Sequence, residues 1–245
     1  MSVAAAAPRT AMVLAAGVGS RMRPLTDDRP KALVQVAGRA LIDRVLDELV
    51  AAGVSRAVVN VHHFADQMEA HLAGRRDLEI VISDERAGLL DSGGGLAEAR
   101  PLLGEDPIFV ANIDSIWLAA GEAPLQTLVR AWRPEAMDLL MLLVERGQGI
   151  GFDGPAGFFK DDANRLTHST GADAITPFAN TGFGILKPQI LDGAPAGAFA
   201  IQPIWRRLQA EGRLHGVVMD AFWMHVGDPA ARDAAEAKLL EASRP

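Results

Sequence analysis

An apolar run, residues 11–15, passes directly into a loop carrying Gly17 and Gly19, and this junction constrains the chain more than any other feature of its 245 residues. Glycines lack a Cβ, so the loop backbone can turn back at positive φ and its N–H groups can approach anionic oxygens closely. Arg21 follows, and then Lys31, on a segment stiffened by Pro24 and Pro30. A guanidinium offers a planar fork to phosphate and an ammonium a compact point charge, so the segment is suited to a polyphosphate. By itself a Gly-x-Gly loop also serves any tight strand-to-helix turn. Two familiar phosphate motifs do not fit. A P-loop requires a Lys-Ser or Lys-Thr pair after its glycines, and a dinucleotide fingerprint requires a third glycine where this chain has Met22.

The rest of the first half alternates short apolar runs with amphipathic stretches. Strands are expected over 11–15, 57–61, 78–82 and 108–111. Leu41, Ile42, Val45, Leu46, Leu49 and Val50 recur at helical spacing, with Gly53 where a C-terminal cap belongs. Further helices are expected over 65–72 and near 95–102. Such alternation predicts a parallel sheet with helices on both faces and a ligand beyond the carboxyl ends of its strands. The Gly17 loop and Asp114 both fall there, each directly after an apolar run. The second half predicts a helix over 125–132, a strand over 139–144, short antiparallel strands and turns across 147–171, a strand over 183–186, and helices over 201–208 and 230–241. With no internal repeat or linker, one domain is expected, with a nucleotide-binding half over 1–115 and a substrate-binding half over 116–245.

A formal net charge of −7 argues against a nucleic-acid partner, but leaves room for a nucleotide, which needs only a local group of cations. The absence of cysteine excludes disulfides, thiolate metal sites and a thiol nucleophile. The alanine-rich start lacks the basic and long apolar regions of a signal peptide, and residues 137–144 are too few to span a bilayer. A cytoplasmic protein without membrane contact is expected. His62, His63 and His71 have no Cys or carboxylate at zinc-ligand spacing, and no G-x-S-x-G elbow for a hydrolase occurs.

Residues 14–33, LAAGVGSRMRPLTDDRPKAL, resemble the signature L-A-A-G-x-G-x-R-M-x-P-L-T…P-K-x-L of the sugar-1-phosphate nucleotidyltransferases, and the likeness continues through Val36, Gly38 and Leu41. The resemblance implies an α/β fold, a Rossmann-like three-layer sandwich with a mostly parallel mixed sheet. It also implies transfer of a nucleotidyl group from a nucleoside triphosphate to a sugar 1-phosphate, with Mg2+. Arg21 would then neutralise the β- and γ-phosphates, and Lys31 would hold the α-phosphate and the incoming sugar phosphate. Leu14, Ala15, Ala16, Gly17 and Gly19 would line the nucleotide, and Ser92, Gly93 and Gly94, in a segment like the family's L-x-[ST]-G-G, would pack under the base. Asp114, ending an apolar run, would ligate the metal, although an aspartate there can also serve as a turn or helix cap. Asn180 and Gly182 resemble the family's N-x-G sugar strand, and Asn112 would join them.

Two departures stand out. No Glu-Lys-Pro element precedes the Asn180 strand, and Lys160, followed by Asp161 and Asp162, reads as part of an exposed turn. Where the family shows W-x-D-x-G-T, with the Asp on the metal, this chain has Trp223-Met224-His225-Val226-Gly227-Asp228. His225 could ligate the metal itself, directly or through a water, Asp220 or Asp228 could take over, or metal binding could be weakened. The compact length and the segments around Pro30, Asp91 and Gly227 look most like the uridylyltransferase branch, implying UTP and N-acetylmuramate 1-phosphate as substrates. The alternatives are a small mannose- or heptose-1-phosphate guanylyltransferase, or a non-catalytic regulatory homologue that binds a nucleotide-sugar.

Overall fold

The computed structural model describes residues 6–152, 157–169 and 175–244. Strand β1 (Thr10–Leu14) buries Ala11, Met12 and Val13 completely. After the glycine loop, a short ladder of β2 (Gln35–Val36) with β3 (Arg39–Ala40) leads into α1 (Leu41–Ala51). The helix buries Leu41, Ile42, Val45, Leu46 and Leu49, and Gly53 follows it at φ +96°, a conformation favouring glycine. The chain then alternates β4 (Arg56–Val61), α2 (Ala65–Leu72), β5 (Glu79–Asp84), α3 (Asp91–Leu103) and β6 (Ile108–Asn112). β1 lies parallel between β4 and β6, and β5 lies parallel outside β4.

The second half contributes β7 (Ser115–Ala119), α4 (Pro124–Ala131), β8 (Leu139–Glu145), β9 (Gly149–Ile150), β10 (Gly157–Lys160), β11 (Leu166–Ser169) and β12 (Phe178–Leu186), and then α5 (Gln202–Ala210), β13 (Leu214–Val218), β14 (Ala221–His225) and α6 (Pro229–Ala242). β12 pairs antiparallel with both β6 and β8, and β13 pairs parallel with β8. β12 therefore runs against β5, β4, β1, β6, β8 and β13, which all point one way. The β10–β11 hairpin joins the start of β12. This is the mixed, mostly parallel sheet that the sequence predicts.

Alternate residues of a strand face opposite sides of a sheet, and two cores follow. Ala11, Val13, Ala57 and Val59 pack with α1, α2, α4 and α6, whereas Met12 and Val58 pack with α3 and α5. The result is a three-layer sandwich. Among the described residues no helix is long and apolar enough to cross a membrane.

Most expected elements lie within a few residues of the observed ones, but β13 and the short β2–β3 ladder were not expected, and there are further differences. α3 begins at Asp91, so Gly93, Gly94 and Gly95 form its first turn rather than a loop before it. Their poor helix propensity argued for the loop, but a neighbouring segment holds the turn, as described below. β12 begins at Phe178, five residues ahead of the expected strand. β7, β14 and β9 form a small second sheet that periodicity did not disclose. Residues 153–156, 170 and 171 of the expected 147–171 region lie outside the described residues.

Candidate active site

The glycine loop is built around Gly19, which sits at φ +69°. A Cβ there would stand 2.9 Å from Lys31 Cβ and 3.1 Å from Thr26 Cγ2, so both conformation and space call for glycine. The Thr26 hydroxyl donates to the Gly19 carbonyl at 2.9 Å, folding the Pro24–Pro30 segment back beneath the loop and bringing Lys31 with it. Gly17 differs, because a Cβ there would meet no protein atom within 4 Å. Its openness faces the cavity. We therefore expect Gly19→Ala to lower both thermal stability and turnover. Gly17→Ala should leave the melting temperature within about 2 °C, since surface changes rarely exceed ~0.5 kcal/mol, yet raise the KM for the triphosphate. Calorimetry and initial rates on the two variants check this.

The N–H groups of Ala15 and Ala16 do not point outward to a ligand. Both donate to Asn60 Oδ1, at 2.6 and 3.2 Å. Asn60 Nδ2 in turn donates to Glu85 Oε1 at 2.6 Å, and Glu85 Oε2 accepts the Leu90 N–H at 3.2 Å. Asn60 and Glu85 are almost fully buried, and a Cβ at Gly95 would crowd both, at 2.9 and 2.7 Å. The end of β4, the residue after β5 and the first turn of α3 are thus locked to the exit of β1. Sequence reasoning missed these two residues. The available signal was an amide inside the otherwise apolar run 57–61.

Asp114 occupies the link between β6 and β7, at the carboxyl edge of the sheet. Its position is fixed from the far end of the chain. β14 pairs antiparallel with β7 so that His225 lies opposite Ser115, and the Val226 N–H donates to the Asp114 carbonyl at 2.7 Å. Trp223 Nε1 donates to Ser115 Oγ at 3.0 Å, and the Ser115 hydroxyl donates to the Thr181 carbonyl, which ties this small sheet to β12. The carboxylate consequently meets Lys31 Nζ at 2.8 Å through Oδ2 and faces His225 Nδ1 at 3.9 Å through Oδ1. Arg21 is close by: a Cβ on Gly227 would stand 3.0 Å from His225 Nε2 and 3.7 Å from Arg21 Nη1.

Burial alone would raise the Asp114 pKa, but the charge of Lys31, joined by that of His225 whenever the imidazole is protonated, outweighs it and holds the carboxyl below its ordinary value. Burial lowers the His225 pKa; Asp114 pulls it back, while Lys31 and Arg21 push it further down. The site at neutral pH is an ionised carboxylate beside an uncharged imidazole, with two fixed cations. Asp228 has another task, because its Oδ1 accepts the Ala231 N–H at 2.9 Å and caps α6. Asp220 precedes β14 at the end away from His225, roughly 17 Å along the strand at its usual rise.

Leu14, Ala16, Gly17, Gly19, Arg21, Lys31, Ser92, Asn112 and Asp114 line one cavity of about 440 Å³, together with Asn60 and Glu85. A second cavity of about 250 Å³ shares Leu14, Ser92 and Asn112 with it and adds Asn180 and Gly182. Gly182 lies in the irregular part of β12, at φ +82°, where a Cβ would come within 2.6 Å of Asn112 Nδ2. Asn180 Oδ1 accepts the Gly182 N–H at 3.0 Å.

Of the residues expected at the nucleotide, Ala15, Gly93 and Gly94 do not line this cavity. The Gly93 and Gly94 N–H groups both donate to the Phe199 carbonyl, at 2.9 and 3.0 Å, and a Cβ on either would come within 2.5 Å of the 197–199 segment. These glycines allow that segment to lie against the first turn of α3. Ser92, the residue before them, does reach the cavity.

The pattern that defines the MobA-like NTP transferase domain matches residues 11–211. N-acetylmuramate α-1-phosphate uridylyltransferase of Caulobacter vibrioides is 52% identical over 240 residues, covering 96% of this chain and 99% of the relative. The enzyme of that name from Neisseria meningitidis is 36% identical, over 89% of this chain and 92% of its own length. The inositol-1-phosphate CTP transferase structure from T. maritima shares the fold at 17% identity and a TM-score of 0.77, covering 98% of this chain and 99% of its own. A match of this extent, running through the glycine loop and the aspartate at the sheet edge, makes the chain a member of the MobA-like NTP transferase family.

Proposed function

We propose that the chain transfers a uridylyl group from UTP to the phosphate of N-acetylmuramate α-1-phosphate, giving the UDP-sugar and pyrophosphate. The observation that carries the chemistry is the convergence of Arg21, Lys31 and Asp114 on one cavity at the carboxyl edge of the sheet. The choice of substrates rests on the Caulobacter relative, which matches this chain over nearly its whole length. On this reading residues 1–115 form the nucleotide half and 116–245 the sugar half, and the reaction takes place in the cytoplasm.

The chemistry asks for alignment and charge compensation. A sugar phosphate oxygen is already anionic at neutral pH and attacks the α-phosphorus without a general base, while pyrophosphate departs from the opposite side. Lys31 turns from Asp114 toward the α-phosphate and the incoming phosphate, and Arg21 meets the β- and γ-phosphates. The backbone at Gly17 and Gly19 and the side chains of Leu14 and Ser92 surround the nucleoside. Asn112, Asn180 and Gly182 face the sugar.

The donor set fits a divalent cation that arrives with the triphosphate. Asp114 is a hard carboxylate ligand, and the uncharged His225 imidazole faces it at 3.9 Å. Among the described residues no group of three His, Cys, Asp or Glu could hold an ion alone, so substrate phosphates and water would complete the shell. Asp114 and His225 would hold the ion, with Mg2+ expected. When bound it neutralises phosphate charge.

Pyrophosphate release from UTP, GTP, CTP and dTTP, each crossed with a panel of sugar 1-phosphates, tests the reading. UTP with N-acetylmuramate 1-phosphate should exceed every other pair in kcat/KM. A preference for GTP with mannose 1-phosphate would overturn the substrate assignment, and nucleotide binding without any pyrophosphate release would overturn the enzymatic one.

A further inference from the structure

The second cavity carries an inference that rests on the proposed function and extends it. Its walls include Leu96, Val110, Leu139, Met141, Phe183 and Trp205, with other aliphatic side chains and no lysine or arginine among its lining residues. Its polar groups are nearly all carboxamides, from Asn112, Asn180 and Gln202, with Ser92 where it opens toward the nucleotide cavity. Ser92 Oγ already accepts the Ile201 N–H at 3.2 Å, and Asn180 Oδ1 accepts the Gly182 N–H. Among the described residues the side-chain amides of Asn112 and Gln202 have no hydrogen-bond partner.

A bare hexose would set a hydroxyl at nearly every carbon against these apolar walls, each costing about 1–3 kcal/mol if left unpaired. An acylamino group is a better complement. Its N–H and C=O match carboxamides, which each offer donors and an acceptor, while its alkyl end faces hydrocarbon. The lack of a cation keeps a carboxylate substituent, such as a lactyl group, outside. We infer that this cavity is an acyl pocket that reads the N-acetyl group of the sugar phosphate, with Trp205 as the wall that sets acyl length. Trp205 is held firmly for that purpose. Its ring makes edge contacts with Phe158 at 5.6 Å and with His168 at 5.4 Å between centroids, fixing the side chain of α5 against the β10–β11 hairpin.

The test compares kcat/KM for N-acetyl, N-propionyl and N-butyryl forms of muramate 1-phosphate and of glucosamine 1-phosphate, with UTP held saturating. In the native enzyme each added methylene should cost about 10-fold or more, within the range for a hydrophobic pocket. Trp205→Ala should relax the N-butyryl to N-acetyl ratio by about 10- to 100-fold and leave the KM for UTP unchanged. Met141→Ala, on another wall, supplies a second variant should Trp205→Ala fail to fold. Turnover of N-acetylmuramate 1-phosphate with acyl ratios unaltered in the folded variants would overturn the pocket alone. Preference for N-acetylglucosamine 1-phosphate, with ratios that shift as expected, would overturn the proposed acceptor and leave the pocket standing. If no N-acetylated sugar phosphate is a substrate, both fall.

Discussion

Lys31→Ala is expected to lower kcat by about 30- to 1000-fold and to change the affinity for UTP far less, because in the proposed reaction the ammonium interacts most strongly once negative charge has gathered on the α-phosphate. Such a contact stabilises the transition state selectively, by about 2–4 kcal/mol. The structure supplies the geometry that makes the effect large. Lys31 is only 10% exposed, it lies beneath the Gly19 turn, and its ammonium is 2.8 Å from Asp114. The same geometry has a second consequence. In the free enzyme Lys31 pairs with the carboxylate proposed to receive the metal, so its removal should tighten Mn2+ binding in the absence of nucleotide while catalysis collapses. Single-turnover rates and a Mn2+ titration followed by electron paramagnetic resonance separate the two effects. An unchanged kcat with a raised KM would remove Lys31 from the reacting phosphate.

Asp114→Asn is expected to reduce turnover by on the order of 1000-fold, comparable to deleting a principal electrostatic group from an active site, and to weaken Mn2+ binding at the same time. The backbone at this position should persist, since the Val226 N–H bonds the Asp114 carbonyl and the β7–β14 register does not involve the side chain. Some stability should be lost, because the buried Lys31 ammonium loses its counter-charge. A cooperative melt a few degrees below the native one, together with lost activity, matches the account. Near-native turnover at low Mg2+ would place the metal elsewhere, and a variant that does not fold would make Asp114 a structural residue first.

The parts of this site that were legible in the sequence are those written by residues with unusual backbones or charges at close spacing. Gly19 at positive φ, Pro24 and Pro30 around a folded-back segment, and the cations Arg21 and Lys31 all lie within about one dozen residues of one another, so the local string carries the geometry. Asp114 was legible because it ends an apolar run. The β7–β14 pairing was not, since it joins Ser115 to His225 across most of the second half of the chain and each strand is five residues long. His225 could be placed in the site from its position after Trp223, but its approach to Asp114 depends on that non-local register. Gly93 and Gly94 illustrate a related limit: glycine marks a close approach of backbone without naming what approaches, and the 197–199 segment lies against these two. Asn60 and Glu85 were obscured because a buried polar pair is explained only by the partners that satisfy it, which come from separate strands.

The central claim is that a sugar 1-phosphate oxygen attacks the α-phosphorus of UTP in the cavity formed by Arg21, Lys31 and Asp114. The most direct measurement follows the reaction by 31P NMR, with 18O in the non-bridging oxygens of N-acetylmuramate 1-phosphate. The expected result is UDP-N-acetylmuramate with 18O in its phosphoanhydride bridge and on the sugar-linked phosphorus, pyrophosphate free of label, and loss of both products in Lys31→Ala and Asp114→Asn on the same time scale. Label in pyrophosphate or in free phosphate, or equal product formation by either variant, would contradict it.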